Sequence, residues 1–143
     1  LLRSGLKSKV VDESLASALK DEAVAVRTLA AYVLAQKGNK AALPVLIEAA
    51  ESKDQLSQQY AAFGLSRFKT KESSDALATL ALKRTALSRL AVQSLGRQDT
   101  ADAARALGRV HRDGNASLKA TARQTLQRMK IPEAKVVLEG LGK

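Results

Sequence analysis

Three arginines recur on one predicted helix in the C-terminal half of the chain, at Arg105, Arg109 and Arg112. Their spacing places them on consecutive turns of one helix face. A guanidinium group can donate two parallel hydrogen bonds to a carboxylate or a phosphate, so such a strip suits anion binding. The same spacing is typical of an ordinary solvated helix face, and the sequence leaves both interpretations open. Lys119 and Arg123 on the next predicted helix would extend the basic strip.

Residue types for enzymatic chemistry are scarce in this sequence. The 143 residues include one histidine, His111, and no cysteine. Without cysteine there is no thiolate nucleophile and no sulfur-ligated metal centre, and one histidine does not make a histidine-rich metal site. Nearby aspartates could orient the histidine, but no serine lies in a nucleophile context, so a structural role is favoured for His111. We therefore predict no catalytic residue, no bound metal and no cofactor.

Composition indicates a helical protein with a basic half. Helix-forming residues, mainly alanine and leucine, dominate the 45% of apolar residues, and the aromatic residues common in sheets make up only 3%. The formal net charge is +10, and residues 67–143 carry 16 basic and 7 acidic side chains against 8 and 7 in residues 1–66. Such a basic half suits an anionic partner. No apolar run is long enough to cross a bilayer, so no membrane segment is predicted.

Two series of leucines recur with a period of about 31 residues. The first series is Leu34, Leu65, Leu95 and Leu126; the second is Leu46, Leu77, Leu107 and Leu138, with Leu15 one period earlier. Two series per period indicate two helices per repeat, and so short a hairpin must stack on its neighbours to bury its apolar stripe. The predicted fold is all-α, a right-handed α-solenoid of stacked helical hairpins.

Turn and cap residues divide the chain into repeats. A partial repeat spans 1–20, and complete repeats span 21–53, 54–84, 85–112 and 113–143. We expect helices at about 10–20, 22–37, 41–52, 55–68, 72–84, 86–97, 101–112, 116–129 and 133–141. The expected N-caps are Asp21, Asn39, Asp54, Thr70, Thr85, Thr100 and Asn115, with Pro132 in a first turn.

The ends of the chain suggest that it is part of a longer protein. It starts with Leu rather than Met, and its first hairpin is incomplete. Apolar residues near the two ends are Leu1, Leu2, Leu6, Val137 and Leu141. We expect further repeats or another domain to stack on these open ends.

The first complete repeat carries the clearest motif. It reads DEAVAVRTLAAYVLAQKGN over 21–39 and continues with ALPVLIEAA over 42–50. The acidic start, the Val-Arg pair, the Ala-Ala pair and the Ala-x-x-x-Leu of the second helix resemble the HEAT-like repeats first noted in phycocyanobilin lyases. The arginine position holds Arg27, then Gln58, Ser88 and Lys119 in the later repeats. The resemblance implies an armadillo-like solenoid and a scaffold, an adaptor, a nucleic-acid binder or a lyase subunit.

Three positions of each second helix should point away from the core, two residues before, two after and five after the leucine of the second series. They are Glu13, Ser17 and Lys20, then Pro44, Glu48 and Glu51, then Asp75, Thr79 and Leu82, then Arg105, Arg109 and Arg112, and finally Val136, Gly140 and Lys143. Second helices usually line the concave side of a solenoid. We therefore predict a concave face that is acidic at Glu48 and Glu51 and basic at the three arginines.

A second set of arginines follows the first leucine series by two residues, at Arg67, Arg97 and Arg128. Stacking would place them about 10 Å apart, as in a ladder that follows phosphate groups. A structural explanation is favoured, because a cation in the last turn of a helix complements the dipole and can bind unpaired carbonyls.

The sequence thus predicts a non-catalytic protein–protein interaction scaffold that binds an acidic partner segment on a polarised concave face. One alternative is binding of a nucleic-acid backbone by the basic C-terminal half, although Glu48 and Glu51 would repel a strand along the whole groove. Another is a subunit of the bilin-lyase type, or an accessory module of a larger enzyme. The partner, the oligomeric state and the compartment are left open by the sequence.

Overall fold

The computed structural model describes residues 2–142, with side chains from residue 9 onward, and this part of the chain forms nine α-helices without a strand. The helices are α1 (Leu2–Ala18), α2 (Val24–Gln36), α3 (Ala42–Glu51), α4 (Gln55–Leu65), α5 (Lys71–Leu82), α6 (Ser88–Gln98), α7 (Ala101–Asp113), α8 (Ala116–Arg128) and α9 (Pro132–Gly140). The expectations for Leu1, for the side chains of Leu2 and Leu6, and for Lys143 lie outside the described residues.

Helices α2 to α9 begin and end close to their predicted positions, whereas the prediction for the start of α1 was wrong. We expected this helix to begin near residue 10, and it begins at Leu2. α1 has the weakest amphipathic pattern of the described helices, so its apolar residues do not mark its extent.

The helices form two layers. α2, α4, α6 and α8 pack side by side as a first-helix layer, and α3, α5, α7 and α9 form a second-helix layer on top of it. Within the described residues, α1 packs against α2. Each hairpin consists of one helix from each layer, and neighbouring hairpins stack. The fold is therefore an all-α solenoid of helical hairpins, as predicted.

The two leucine series form the core. All four leucines of the first series are at most 1% exposed, and the alanines four residues before them are at most 4% exposed. In the second series Leu46, Leu77 and Leu107 are fully buried, while Leu15 and Leu138, which lie towards the two ends of the stack, are half-buried. Small alanines let the helices of one layer approach closely, so the periodic leucines fill the space between the two layers.

Four of the seven predicted N-caps are confirmed. Asp54, Thr70, Thr100 and Asn115 each accept a hydrogen bond from the backbone N–H three residues later. The other three predictions were wrong by two residues, because Asp21, Asn39 and Thr85 instead accept from the N–H two residues later, at Ala23, Ala41 and Leu87. These side chains close a tight turn just before the helix. Pro132 is the first residue of α9.

Gln98 joins two neighbouring hairpins through buried hydrogen bonds. Its Nε2 donates to the carbonyl oxygens of Leu65 (3.1 Å) and Phe68 (2.7 Å) at the end of α4 and to Oγ of Ser73 (2.6 Å). Its Oε1 accepts from the hydroxyl of Ser74 at 2.8 Å. The side chain is fully buried, so these bonds fix the α6–α7 turn against the α4–α5 turn.

Candidate functional site

The predicted basic strip lies on the outward face of α7, beside a groove between α7 and α9. The side chains of Arg105, Arg109 and Arg112 are 60%, 38% and 69% exposed. The groove has a volume of about 510 Å³. It is lined by Arg105, Gly108, Arg109, His111, Arg112, Lys119, Val137, Gly140 and Leu141. We call it the basic groove. Its floor is apolar where Gly108 faces Val137, and its rim carries the cations.

Arg123 is the one predicted basic residue that does not line this groove. Its guanidinium donates to the carbonyl oxygen of Gly142 at 3.2 Å, which ties α8 to the end of α9. Lys119, by contrast, does line the groove. The structure therefore brings four of the five predicted basic residues together.

Each of the three arginines contacts a carboxylate of this chain. Arg105 pairs with Asp102 at 3.1 Å, Arg112 pairs with Asp113 at 3.3 Å, and Arg109 pairs with Asp75 of α5. In each ion pair one guanidinium nitrogen contacts one carboxylate oxygen, and each side chain keeps at least a third of its surface exposed. Pairs of this kind contribute at most about 1 kcal/mol to stability. A carboxylate from a partner can therefore compete for them.

His111 is half-buried in the basic groove. Burial lowers the pKa of this imidazole, and the positive charges of Arg123 and Lys119 lower the pKa further. The side chain is therefore neutral at pH 7, when it can accept or donate a hydrogen bond. The sequence interpretation of His111 as a structural residue did not anticipate that it would line the groove.

The predicted acidic end is split between two places. Glu48 forms an ion pair with Arg27 of α2 at 3.0 Å and remains 61% exposed. Glu51 lines a second groove, of about 310 Å³, between α3 and α5. We call this the acidic groove, and its lining is Ile47, Ala50, Glu51, Glu72, Asp75, Ala76 and Thr79. Glu72 was not predicted as part of this surface, although it lies in the first turn of α5, one turn before Asp75.

Asp75 lies at the junction of the acidic and basic grooves. It lines the acidic groove, and its carboxylate pairs with Lys71 at 3.6 Å and with Arg109 across the α5–α7 contact. Both grooves therefore lie on the second-helix layer, and the cluster of Lys71, Asp75 and Arg109 lies between them. Of the predicted outward positions on these helices, Glu48, Glu51, Arg105 and Arg112 are exposed, whereas the prediction for Leu82 was wrong because this side chain packs partly against the core.

One repeated position behaves differently in different hairpins. Nη1 of Arg27 donates to the carbonyl oxygens of Asp21 (2.7 Å) and Glu22 (2.9 Å) in the turn before α2. One period later, Nε2 of Gln58 donates to the carbonyl oxygen of Ser52, again six residues back. Two periods after that, Lys119 lines the basic groove instead. The motif position is thus structural in the first two complete repeats and adds surface charge in the last.

The second set of arginines, Arg67, Arg97 and Arg128, is exposed to solvent. Among the described residues, none of the three donates a side-chain hydrogen bond to a carbonyl oxygen or forms an ion pair. Arg97 and Arg128 lie in the last turns of α6 and α8, where the helix dipole is the remaining structural explanation. The prediction that Arg67 lies in a last turn was wrong, because α4 ends at Leu65.

The described residues contain no cluster of three or more histidine, cysteine or acidic side chains that could hold a metal ion. None of the helices in this part of the chain combines the length and apolar content needed to span a bilayer. The side chains that line the two grooves supply guanidinium, ammonium, imidazole and carboxylate groups for ionic and hydrogen-bonding contacts.

Comparison with known proteins identifies the repeat. A family model of HEAT repeats matches residues 13–87, and the hairpins after residue 87 continue the same two layers. A search of curated proteins gave no match. The family match does not single out the phycocyanobilin-lyase type. HEAT repeats generally act as protein-interaction scaffolds and are typically non-catalytic. The matched segment covers just over half of the chain, and the chain belongs to the HEAT repeat family.

Proposed function

We propose that this chain is a non-catalytic scaffold that binds an acidic segment of another protein in the basic groove. The observation that carries the proposal is the convergence of four basic side chains around one groove with an apolar floor. Arg105, Arg109 and Arg112 come from α7 and Lys119 comes from α8. A stack of helices holds their backbone in place, so the entropy lost when a ligand binds is that of the side chains.

The apolar floor favours a protein segment over a bare polyanion. Val137 and Leu141 of α9 line the groove together with Gly108 of α7. A leucine or a similar side chain of the partner can pack against this floor while neighbouring acidic residues bind the arginines on the rim. Interfaces between proteins combine a buried apolar anchor with a polar rim in this way.

The acidic groove limits the length of the bound segment. A uniformly acidic chain that continued from α7 towards α3 would meet Asp75, Glu72 and Glu51. Like charges at close range cost free energy, so the acidic residues of the partner belong at the α7–α9 end. A partner whose charge changes from acidic to basic along its length would match both grooves.

Selection from a library of random peptides displayed on phage, carried out at physiological salt, tests the proposal. We expect the enriched peptides to carry several Asp or Glu residues beside an apolar residue. A synthetic peptide of the enriched sequence should bind the wild-type chain and lose at least about tenfold in affinity with the triple variant R105A/R109A/R112A, because charged hydrogen bonds contribute strongly to recognition.

A control variant removes three positive charges, as the triple arginine variant does, but from positions outside the basic groove. Lys20, Lys53 and Arg89 are exposed and lie away from the basic groove. The variant K20A/K53A/R89A should bind the selected peptide within about twofold of wild type, because it loses the same charge outside the groove. Enrichment of neutral or basic peptides, or equal losses in both triple variants, would overturn the proposal.

A further inference from the structure

One edge of the solenoid is much more basic than the other. The turns that join the two helices of a hairpin, taken with the last two residues of the preceding helix, are 35–41, 64–70, 97–100 and 127–131. They carry seven basic residues and one acidic residue. The turns between hairpins, taken in the same way, are 17–23, 50–54, 81–87 and 112–115, and they carry five of each. We call the first set the basic edge.

Buried and half-buried side chains hold the turns of the basic edge in register. The amide of Gln98 donates hydrogen bonds to the carbonyl oxygens of Leu65 and Phe68 at the end of α4. Asp99 reaches the next turn, where its Oδ1 accepts from the backbone N–H groups of Lys130 (3.1 Å) and Ile131 (3.4 Å). Asp99 has a left-handed conformation with φ 48°, which an aspartate adopts more readily than most residues. Three successive turns are therefore joined, and their cations keep a fixed spacing.

The cations of the last three turns are directed to solvent, whereas Lys37 of the first turn pairs with Asp12 of α1 at 2.7 Å. Arg67, Lys69, Arg97, Arg128 and Lys130 are all exposed, and among the described residues none of them forms an ion pair. Three of them, Arg97, Arg128 and Lys130, line a groove of about 300 Å³ between two turns. The one carboxylate in that groove, Asp99, already accepts two backbone hydrogen bonds.

We propose that the basic edge binds the phosphate backbone of a nucleic-acid duplex. Adjacent helices of a layer lie about 10 Å apart, so four turns present cations along about 30 Å. A duplex carries one negative charge per roughly 1.7 Å of its axis, so the edge faces phosphates along its full length. Cations carried on turns at regular spacing can position a backbone without reading bases.

The composition of the edge distinguishes a duplex from other anionic partners. A single strand needs aromatic side chains on which bases stack, but the only aromatic residue of these turns, Phe68, is 7% exposed. An acidic protein segment needs an apolar anchor, and the basic groove on the second-helix layer provides one while the edge presents mainly charged side chains. The two surfaces therefore suit two different anions.

Fluorescence anisotropy with a labelled DNA duplex of mixed sequence, about 20 base pairs long, tests this proposal at about 50 and about 200 mM salt. We expect binding at the lower salt and a steep loss at the higher salt. The variant R97A/R128A/K130A should bind at least about tenfold more weakly at low salt, and the slope of log affinity against log salt should become shallower by about 2 to 3.

Two control variants separate this proposal from the proposed function. K20A/K53A/R89A has the same net charge as the edge variant, and R105A/R109A/R112A disrupts the basic groove. Both should bind the duplex within about threefold of wild type, because non-specific charge acts weakly beyond the Debye length. The edge variant should still bind the peptide selected for the basic groove.

Three results would overturn the proposal. They are no duplex binding by wild type at low salt, equal weakening in all three variants, and loss confined to the basic-groove variant. Binding of a single strand in preference to the duplex would also contradict it, because the edge has no stacking platform. The circular dichroism spectrum of each variant should match wild type, since the replaced side chains are exposed.

Discussion

The two ends of the second-helix layer share one architecture and differ in charge. Between α3 and α5, the groove carries Glu51, Glu72 and Asp75. Between α7 and α9, the corresponding groove carries three arginines and Lys119. The leucines that bury these helices recur at both ends, so the fold does not constrain the outward residues. A solenoid can therefore change the recognition properties of its surface from hairpin to hairpin while its core stays constant.

The same contrast appears at the repeated motif position. Arg27 supports the turn before α2 and pairs with Glu48, so its charge is used inside the repeat. Lys119, at the same position of the last repeat, contributes its charge to the basic groove. A motif residue is thus structural or available for binding depending on what surrounds it.

The largest effect on stability should come from replacing Gln98, whose side chain joins two neighbouring hairpins. Replacing Gln98 by Ala removes the hydrogen bonds to Leu65, Phe68 and Ser74 and leaves buried polar groups unpaired. We expect the free energy of unfolding to fall by about 3 kcal/mol, measured by urea denaturation. The control is Gln93→Ala, an exposed position on the same helix, which should change stability by less than about 0.5 kcal/mol. Equal losses would show that the Gln98 bonds do not join the hairpins.

The next largest effect on stability should be at the repeated motif position, where Arg27 and Lys119 have different roles. Arg27→Ala removes two hydrogen bonds to carbonyl oxygens and the ion pair with Glu48, so we expect a loss of about 1 to 2 kcal/mol in the free energy of unfolding. Lys119→Ala should change it by less than about 0.5 kcal/mol, because the side chain is exposed. Thermal and urea unfolding of the two variants provide the comparison. A larger loss from Lys119→Ala would reverse the assignment of the two roles.

A smaller effect is expected at the junction of the grooves. Asp75 and Arg109 form a half-buried ion pair, and a double-mutant cycle with Asp75→Asn and Arg109→Gln should give a coupling of about 1 kcal/mol. Asp75→Asn should also strengthen binding of an acidic peptide a few-fold, because it releases Arg109. Weaker binding by Asp75→Asn would show that Asp75 positions the arginine for its partner.

The smallest expected effect is the contribution of His111 to the pH dependence of stability. Since burial and nearby cations lower the pKa of His111, the unfolded chain binds a proton at a higher pH than the folded chain does. Stability from this residue is therefore present above a pH of about 6.5 and falls as the pH drops below that value. We expect His111→Asn to lose less stability than wild type between about pH 7.5 and about pH 5.5.

Titration of His111 by NMR checks the same point directly. The pKa should lie below the ordinary histidine value, and an acidic peptide in the basic groove should raise it by adding negative charge nearby. A pKa at or above the ordinary value in the unbound chain would contradict the geometry of the groove.

Much of the fold could be predicted from the sequence. The leucine spacing gave the number of helices per repeat, and the outward positions Glu51 and Arg105 are exposed as expected. The caps at Asp21 and Thr85 were misplaced because a side chain that closes a turn before a helix uses the same residue types as an N-cap. Glu48 and Glu51 make different contacts: Glu48 forms an ion pair with Arg27, which lies on a different helix, and this pair could not be predicted from the sequence.

By itself, the sequence determined the helical hairpins, their stacking and which residues face outward, because these follow from helix periodicity and the burial of leucine. Only the tertiary structure decided that Gln98 joins two hairpins, that Asp75 lies between the acidic and basic grooves, and that the turn cations Arg97 and Arg128 line a third groove. Those features depend on distances between residues about 30 positions apart, and a one-dimensional pattern gives their spacing along the chain but not their contacts.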